Sequence, residues 1–301
     1  MSGQNATLRV NLLVSQYFHE ARASRSFGFD ARRRNLVLLR RANYRYLRSG
    51  IQNRGFRMTS KNIALTTLHV RRADESVEVA QVSTVAAATF SSHKPWRRFR
   101  SYRGATHYSG NYWCATMAEP VEYESRLELA NLIELDFDPQ VQWVRAQPFL
   151  MSGVDGKRIR RHIPDYLVKF ASGEYCVIDV KPAALLDHPK VRESLTWSRT
   201  VIDAVGWEYR ILSEPTPARH ANIRFLSGYR RPFQFRAAEL AAIASVVEQP
   251  MTIRATVAEA AEIVQGAEYA RSTLFHLLWT GRLNTDLELP LHDSSILTSA
   301  T

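Results

Sequence analysis

Two short runs carry the residues best suited to chemistry: Pro164-Asp165-Tyr166-Leu167-Val168 and Ile178-Asp179-Val180-Lys181, with Asp179 following Asp165 by 14 positions. Side chains alternate along a strand, so Asp179 and Lys181 share one face while Ile178 and Val180 share the other. Ala-Ser-Gly-Glu, at 171–174, reads as the turn of a hairpin joining the two runs, and so brings Asp165 beside the strand that carries Asp179. Two carboxylates converging in this way repel each other unless a proton or a divalent cation joins them. Hard oxygen ligands with open water positions favour Mg2+ or Mn2+ over zinc. Lys181 would orient or activate a water and stabilise charge on an attacked phosphate.

These residues need a scaffold, and the flanking sequence supplies a definite order of elements. Tyr123–Leu135 is rich in strong helix formers, and Pro139 ends that helix. Glu124 and Glu128 lie four residues apart on one of its faces, and either could deliver a third carboxylate to the sheet. A strand is expected over Val141–Leu150, with Gly153 and Gly156 in the loop after it. Further strands follow over Ile163–Phe170 and Tyr175–Lys181. A helix over Lys190–Val205 is stopped by Gly206, and Trp207–Leu212 is the last strand. The expected fold class is therefore α/β, a mixed sheet with an α-β-β-β-α-β core covered by helices, which resembles the restriction-endonuclease-like fold. Arg145 and Gln147 flank Ala146 on a strand neighbouring the site, where they would brace the carboxylates or touch phosphate. His162, just before the Pro-Asp strand, reads as a loop or DNA-facing residue.

Charge places the polyanion partner. The chain has a formal net charge of +11, but residues 1–106 hold 20 Lys and Arg against 5 Asp and Glu, so the excess lies in the first third. Arginines interleave with aromatics there, and Arg97, Arg98, Arg100 and Arg103 are candidates for phosphate contact. The last zone differs: from Phe233 onward there are four Arg and eight acidic residues, a balance that repels phosphate. Its pattern of three helices followed by two short β-like runs, 283–289 and 291–297, is winged-helix-like, with Thr256 and Glu259 read as a capping box. Protein contact is the expected role of that zone. Cys114 and Cys176 belong to no CxxC or Cys/His cluster, which argues against zinc and against a disulfide framework. No apolar run approaches membrane-spanning length and no secretion signal is read, so a cytoplasmic protein is expected.

The stretches SRLELANLIELDFDPQV, VRAQPF, HIPDYLV and IDVKPAALL resemble the catalytic domain of TnsA, the endonuclease subunit of heteromeric cut-and-paste transposases within the PD-(D/E)xK nucleases. The likeness extends over about Tyr108 to Glu214 and implies a catalytic set of Glu128, Asp165, Asp179 and Lys181, selecting Glu128 over Glu124. Some relatives carry Gln where Asp179 stands. Asp165, Asp179, Glu128 and the main-chain carbonyl of Val180 are the expected cation ligands. The resemblance also implies Mg2+-dependent cutting of one strand of double-stranded DNA at each transposon end, leaving a 5′-phosphate and a 3′-hydroxyl. A TnsB-like recombinase and a TnsC-like ATP-dependent regulator are the implied partners. The expected organisation is a basic region at 1–106, the nuclease domain at 107–217, a linker at 218–232 and the winged-helix-like domain at 233–301. Two alternatives remain at this point: a PD-(D/E)xK nuclease of restriction, repair or phage recombination, and a DNA-binding regulator with an inactive nuclease-like core.

Overall fold

The computed structural model describes residues 62–63, 65–85, 94–97, 108–156, 158–264 and 266–300. They divide into two units, one made of 62–230 with 287–291 and the other of 231–286 with 292–300.

The first unit holds a mixed sheet that orders as β10-β9-β8-β5. Its strands are β5 (Val141–Ala146), β8 (Tyr166–Phe170), β9 (Tyr175–Val180) and β10 (Glu208–Leu212). β8 runs antiparallel to both β5 and β9, while β10 is parallel to β9. The central strands read as near-continuous apolar runs because both faces are covered: Tyr166, Leu167, Val168, Cys176, Val177 and Ile178 are all fully buried. On one face Leu167 and Val177 join Leu195, Trp197, Val201 and Ile202 of α2 (Pro189–Val205). α2 begins with Pro at its first turn and stops at Gly206, whose φ of 83° suits glycine. α1 (Arg126–Phe137) lies against β5 and β9.

Two strands are inserted where the sequence suggests a loop. β5 ends at Ala146 because Gln147 takes a φ of 44°, turning the chain out of the sheet. β6 (Leu150–Asp155) and β7 (Arg158–His162) then form a hairpin in a second sheet, ordered β2-β1-β6-β7, with β1 (Thr67–Arg71) and β2 (Val77–Gln81). Gly153, expected in a loop, lies within β6, where a Cβ would come 2.3 Å from Thr66 Oγ1. The observed order from α1 is thus α-β-β-β-β-β-α-β. Part of the zone expected as a separate basic region, β1 and β2, belongs to this unit.

Other boundaries move for local reasons. α1 starts at Arg126 rather than Tyr123, because Tyr123 closes β4 (Glu119–Tyr123), which pairs with β3 (Gly110–Cys114). The stretch expected as a linker at 218–232 carries α3 (Pro217–Leu226), whose Arg219 Nε bonds Glu134 Oε2 of α1 at 2.9 Å.

The second unit runs α4 (Ala237–Val246), β11 (Met251–Thr252), α5 (Ile253–Ala261), α6 (Ala267–Trp279), β12 (Leu283–Asn284) and β13 (Ile296–Ser299), its strands ordered β11-β13-β12. Thr252, not Thr256, caps α5, accepting from the Ala255 N–H, while Thr256 is buried inside the helix. The expected strands at 283–289 and 291–297 shorten to β12 and β13. Residues 287–291 go with the first unit, where Asn222 Nδ2 donates to the carbonyls of Leu287 and Leu289 and Oδ1 accepts from the Leu291 N–H. Among the described residues no helix is long and apolar enough to cross a membrane.

Candidate active site

The site lies where β8 begins and β9 ends. Asp165 precedes β8, and its backbone N–H bonds the Ile178 carbonyl at 3.0 Å, which sets it beside the end of β9. Its Oδ2 accepts from the Val180 N–H at 2.6 Å and from Lys181 Nζ at 3.2 Å. Lys181 Nζ also donates to the Val180 carbonyl at 2.9 Å. The lysine is fixed from behind, its N–H bonded to the Leu212 carbonyl and its carbonyl accepting the Ser213 hydroxyl.

Glu128 arrives from the first turn of α1. Ser125 caps that helix, accepting from the Glu128 N–H at 3.1 Å. Its hydroxyl in turn donates to Glu128 Oε1, while the Glu124 N–H donates to Oε2. The cap is reciprocal, with the N–H of Glu124, the residue before the cap, in place of the cap's own N–H, and it fixes the acid as well as the helix. Burial and then the charge of Asp165 push the Glu128 carboxyl up to about 7. Burial and then the charge of Asp179 push Asp165 up to about 6, against the pull of Lys181. Burial would lower Lys181, but the charges of Asp165 and Asp179 outweigh it and hold the lysine above its ordinary value. The site therefore gathers more negative charge than its own cation neutralises.

Asp179 has different company. It is completely buried, with His162 Nε2 2.8 Å from each of its oxygens and the Tyr209 hydroxyl donating to Oδ2. Burial would raise this carboxyl, but the charge and hydrogen bond of His162 outweigh that and leave it below the usual range. Among the described residues no group of three or more His, Cys, Asp and Glu side chains is gathered as a metal site. Of the expected oxygen donors, Glu128 and Asp165 are close enough for their charges to act on each other, and the Val180 carbonyl accepts from Lys181 Nζ.

The expected DNA-contacting residues are placed as follows. Arg145 pairs with Glu119 and lies over Trp143. Gln147 is buried; it donates to Glu124 and accepts the Arg97 N–H at 2.9 Å, while its own N–H bonds the Asp165 carbonyl at 2.9 Å. Arg97 Nη1 meets both oxygens of Glu124 at 3.2 Å. Arg98, Arg100 and Arg103 lie outside the described residues.

Residues 138–214 match the family model described as TnsA-like endonuclease N terminal. This segment of the chain is TnsA-like. The match takes in Asp165, Asp179 and Lys181 and begins after Glu128, so the helix that brings the third acid is joined to the TnsA-like segment by its packing on β5 and β9. No curated protein matches the chain. Within this TnsA-like domain, sequence reasoning missed the pairing of His162 and Tyr209 with Asp179. It also missed the Ser125 cap, whose signal, Ser-x-x-Glu at 125–128, stood in the sequence.

Proposed function

We propose that this chain is a metal-dependent DNA endonuclease, the transposase subunit that cuts one strand of double-stranded DNA at each transposon end. The observation that carries this reading is the convergence of Glu128, Asp165 and Lys181 at one corner of the TnsA-like domain, with both acids raised by burial and by neighbouring charge. Mg2+, with Mn2+ as substitute, fits that charge imbalance, and Asp165, Glu128 and the Val180 carbonyl are the oxygens that would hold it. Asp179 would join them only by giving up bonds from His162 and Tyr209. When bound, the cation supplies Lewis-acid charge at the attacked phosphate and an acidified water.

The residues of the chain do the rest. Lys181, anchored on Asp165 and the Val180 carbonyl, presents an ammonium beside the place where charge develops on phosphate. Glu128, pushed up to about 7 by burial and by the charge of Asp165, would be ionised by the approach of the cation, and the Ser125 hydroxyl and the Glu124 N–H keep its carboxylate in place. A TnsB-like recombinase for the other strand and a TnsC-like regulator complete the proposed assembly, in the cytoplasm. The helix and strand order of the second unit, α4-β11-α5-α6-β12-β13, supports a winged helix, and its acidic balance favours a protein partner over DNA.

The test is calorimetric titration of Mn2+ into the wild type, Asp165→Ala and Asp179→Ala, with nicking of plasmid DNA followed alongside. Cation binding in the wild type and its loss in Asp165→Ala is the expected result. The Asp179→Ala variant reads whether that acid leaves its His162 and Tyr209 partners for the cation. A wild type that takes up no cation at millimolar concentration, with DNA present, overturns the proposal and favours an inactive nuclease-like core.

A further inference from the structure

The basic side chains that the sequence offered for DNA contact are, where described, already engaged: Arg97 with Glu124 and Arg145 with Glu119. Arg126 stands apart from them. It is the first residue of α1, exposed to solvent, and two positions before Glu128. Among the described residues it has no carboxylate partner. Its guanidinium lies 4.7 Å from the centroid of the Tyr108 ring.

That ring is itself held. Tyr108, 57% exposed, stacks on Tyr123 with centroids 6.5 Å apart and an interplanar angle of 23°. Tyr123 crosses its partner strand at Gly110, where a Cβ would stand 2.5 Å from the Tyr123 hydroxyl, so glycine there makes room for the ring. The result is a column of two aromatic planes bearing a guanidinium, rooted in the β3–β4 hairpin. Cation–π contact uses the guanidinium's face and leaves its in-plane N–H fork free, the geometry that grips a phosphate bidentately.

Helix stability does not explain this residue. The N-terminus of a helix is its positive end, where a cation is disfavoured and an acid preferred. A cation kept there, on an ordered aromatic support and without an acid to neutralise it, is suited to an anion from outside. We propose that Arg126, seated on Tyr108, grips a backbone phosphate of the DNA strand next to the one that is cut. The inference rests on the nuclease reading, and it names a substrate contact which that reading leaves open.

The experiment is fluorescence anisotropy of a labelled mixed-sequence DNA duplex with the full chain, without divalent cation, across a range of NaCl concentrations. Arg126→Ala should weaken binding about tenfold at moderate salt, and reduce the slope of log K against log salt by about one, as expected for one lost phosphate contact. Arg126→Lys should keep most of the slope but not the affinity, because an ammonium lacks the planar fork. Tyr108→Phe should behave as wild type and Tyr108→Ala should follow Arg126→Ala in part. A merely structural role would not move the salt slope, and the exposed Arg126→Ala variant should melt no lower than wild type.

If Arg126→Ala matches wild type in both affinity and slope, the inference is overturned while nuclease activity is untouched by that result. If the slope changes but plasmid nicking by the wild type never depends on Asp165, the phosphate grip stands and the nuclease reading falls. A wild type that does not bind the duplex overturns the inference outright.

Discussion

Helix α1 carries a buried carboxylate in its last turn and a half-buried one in its first, and the two are treated in opposite ways. Asp136, in the last turn, accepts from the Tyr112 hydroxyl at 2.7 Å, the Cys114 thiol at 3.1 Å, the Ala115 N–H at 3.0 Å, and both the N–H and the hydroxyl of Thr116 at 2.8 Å. It sits at the helix's negative end, where a carboxylate is disfavoured, so this dense set of donors is what makes its burial tolerable. Glu128, in the first turn, enjoys the favourable end of the helix yet, among the described residues, receives only the Ser125 hydroxyl and the Glu124 N–H. Asp165 faces it and no cationic side chain among the described residues bonds it, so burial and that charge push it up to about 7. The difference separates architecture from function. Where the fold needs an ion, it supplies the partners; at Glu128 the balancing charge is left, under the proposed function, to cation and substrate.

Removing the satisfied acid should therefore do the most damage. Asp136→Ala leaves buried donors from Tyr112 and Thr116 without an acceptor and is expected to cost about 3–5 kcal/mol of stability. Burial and then the charge of Asp136 now push the Cys114 thiol up to about 12, so in the variant that thiol should become easier to ionise and to alkylate. A urea series and amide exchange in β3 and β4 read the effect; unchanged protection of that hairpin would show that Asp136 does not hold it. Uptake of Mn2+ by any molecules that remain folded should be unaltered.

The unsatisfied acid should respond with the opposite sign. Glu128 titrates near 4.5 when unfolded and about 7 when folded, so between those values the native state binds more protons than the unfolded chain. Stability contributed by the protonated form is fully present below pH about 4.5 and is lost as pH rises through 7. Asp165 acts in the same direction, from 3.8 to about 6. Glu128→Gln keeps the capping geometry and removes the charge. It should be more stable than wild type at pH 8, in chelator, by on the order of 1–3 kcal/mol, with a flatter stability profile from pH 5 to 7. Mn2+ should narrow that gap by favouring the ionised wild type. A wild-type profile that stays flat through this window would refute the charge imbalance on which the site is argued.

The same contrast explains what could be read from the chain alone. The meeting of Asp165 with Lys181 at the end of β9 was legible because strand alternation and a four-residue turn are local properties. The fate of Asp179 was not, since its partners arrive from elsewhere: Tyr209 from a parallel strand 30 positions on, and His162 from an inserted hairpin. That hairpin looked like a loop because β6 finds its partner at β1, pairing Thr67 with Ser152, a contact no local pattern announces. The misplaced helix start in the second unit has a smaller cause. Thr256 and Glu259 have capping-box spacing, but Thr252, four residues earlier, competes for the same role and wins, leaving Thr256 to bond the Thr252 carbonyl from within the helix.

Ser125 gives the finest probe of how α1 positions its acid. Its hydroxyl accepts from the Glu128 N–H and donates to the Glu128 carboxylate, so Ser125→Ala removes a cap and a carboxylate donor together. The cap is worth about 1 kcal/mol. The donor bond holds the Glu128 carboxyl down against burial, so its loss should move the Glu128 titration further upward and extend the pH range over which stability declines. Ser125→Thr keeps the hydroxyl and should restore both effects; Ser125→Gly, a tolerated cap without a side chain, should recover most of the stability but not the titration. Glycine and alanine variants with the same Glu128 midpoint as wild type would mean that the hydroxyl serves the helix alone and that the acid is placed by the sheet beneath it.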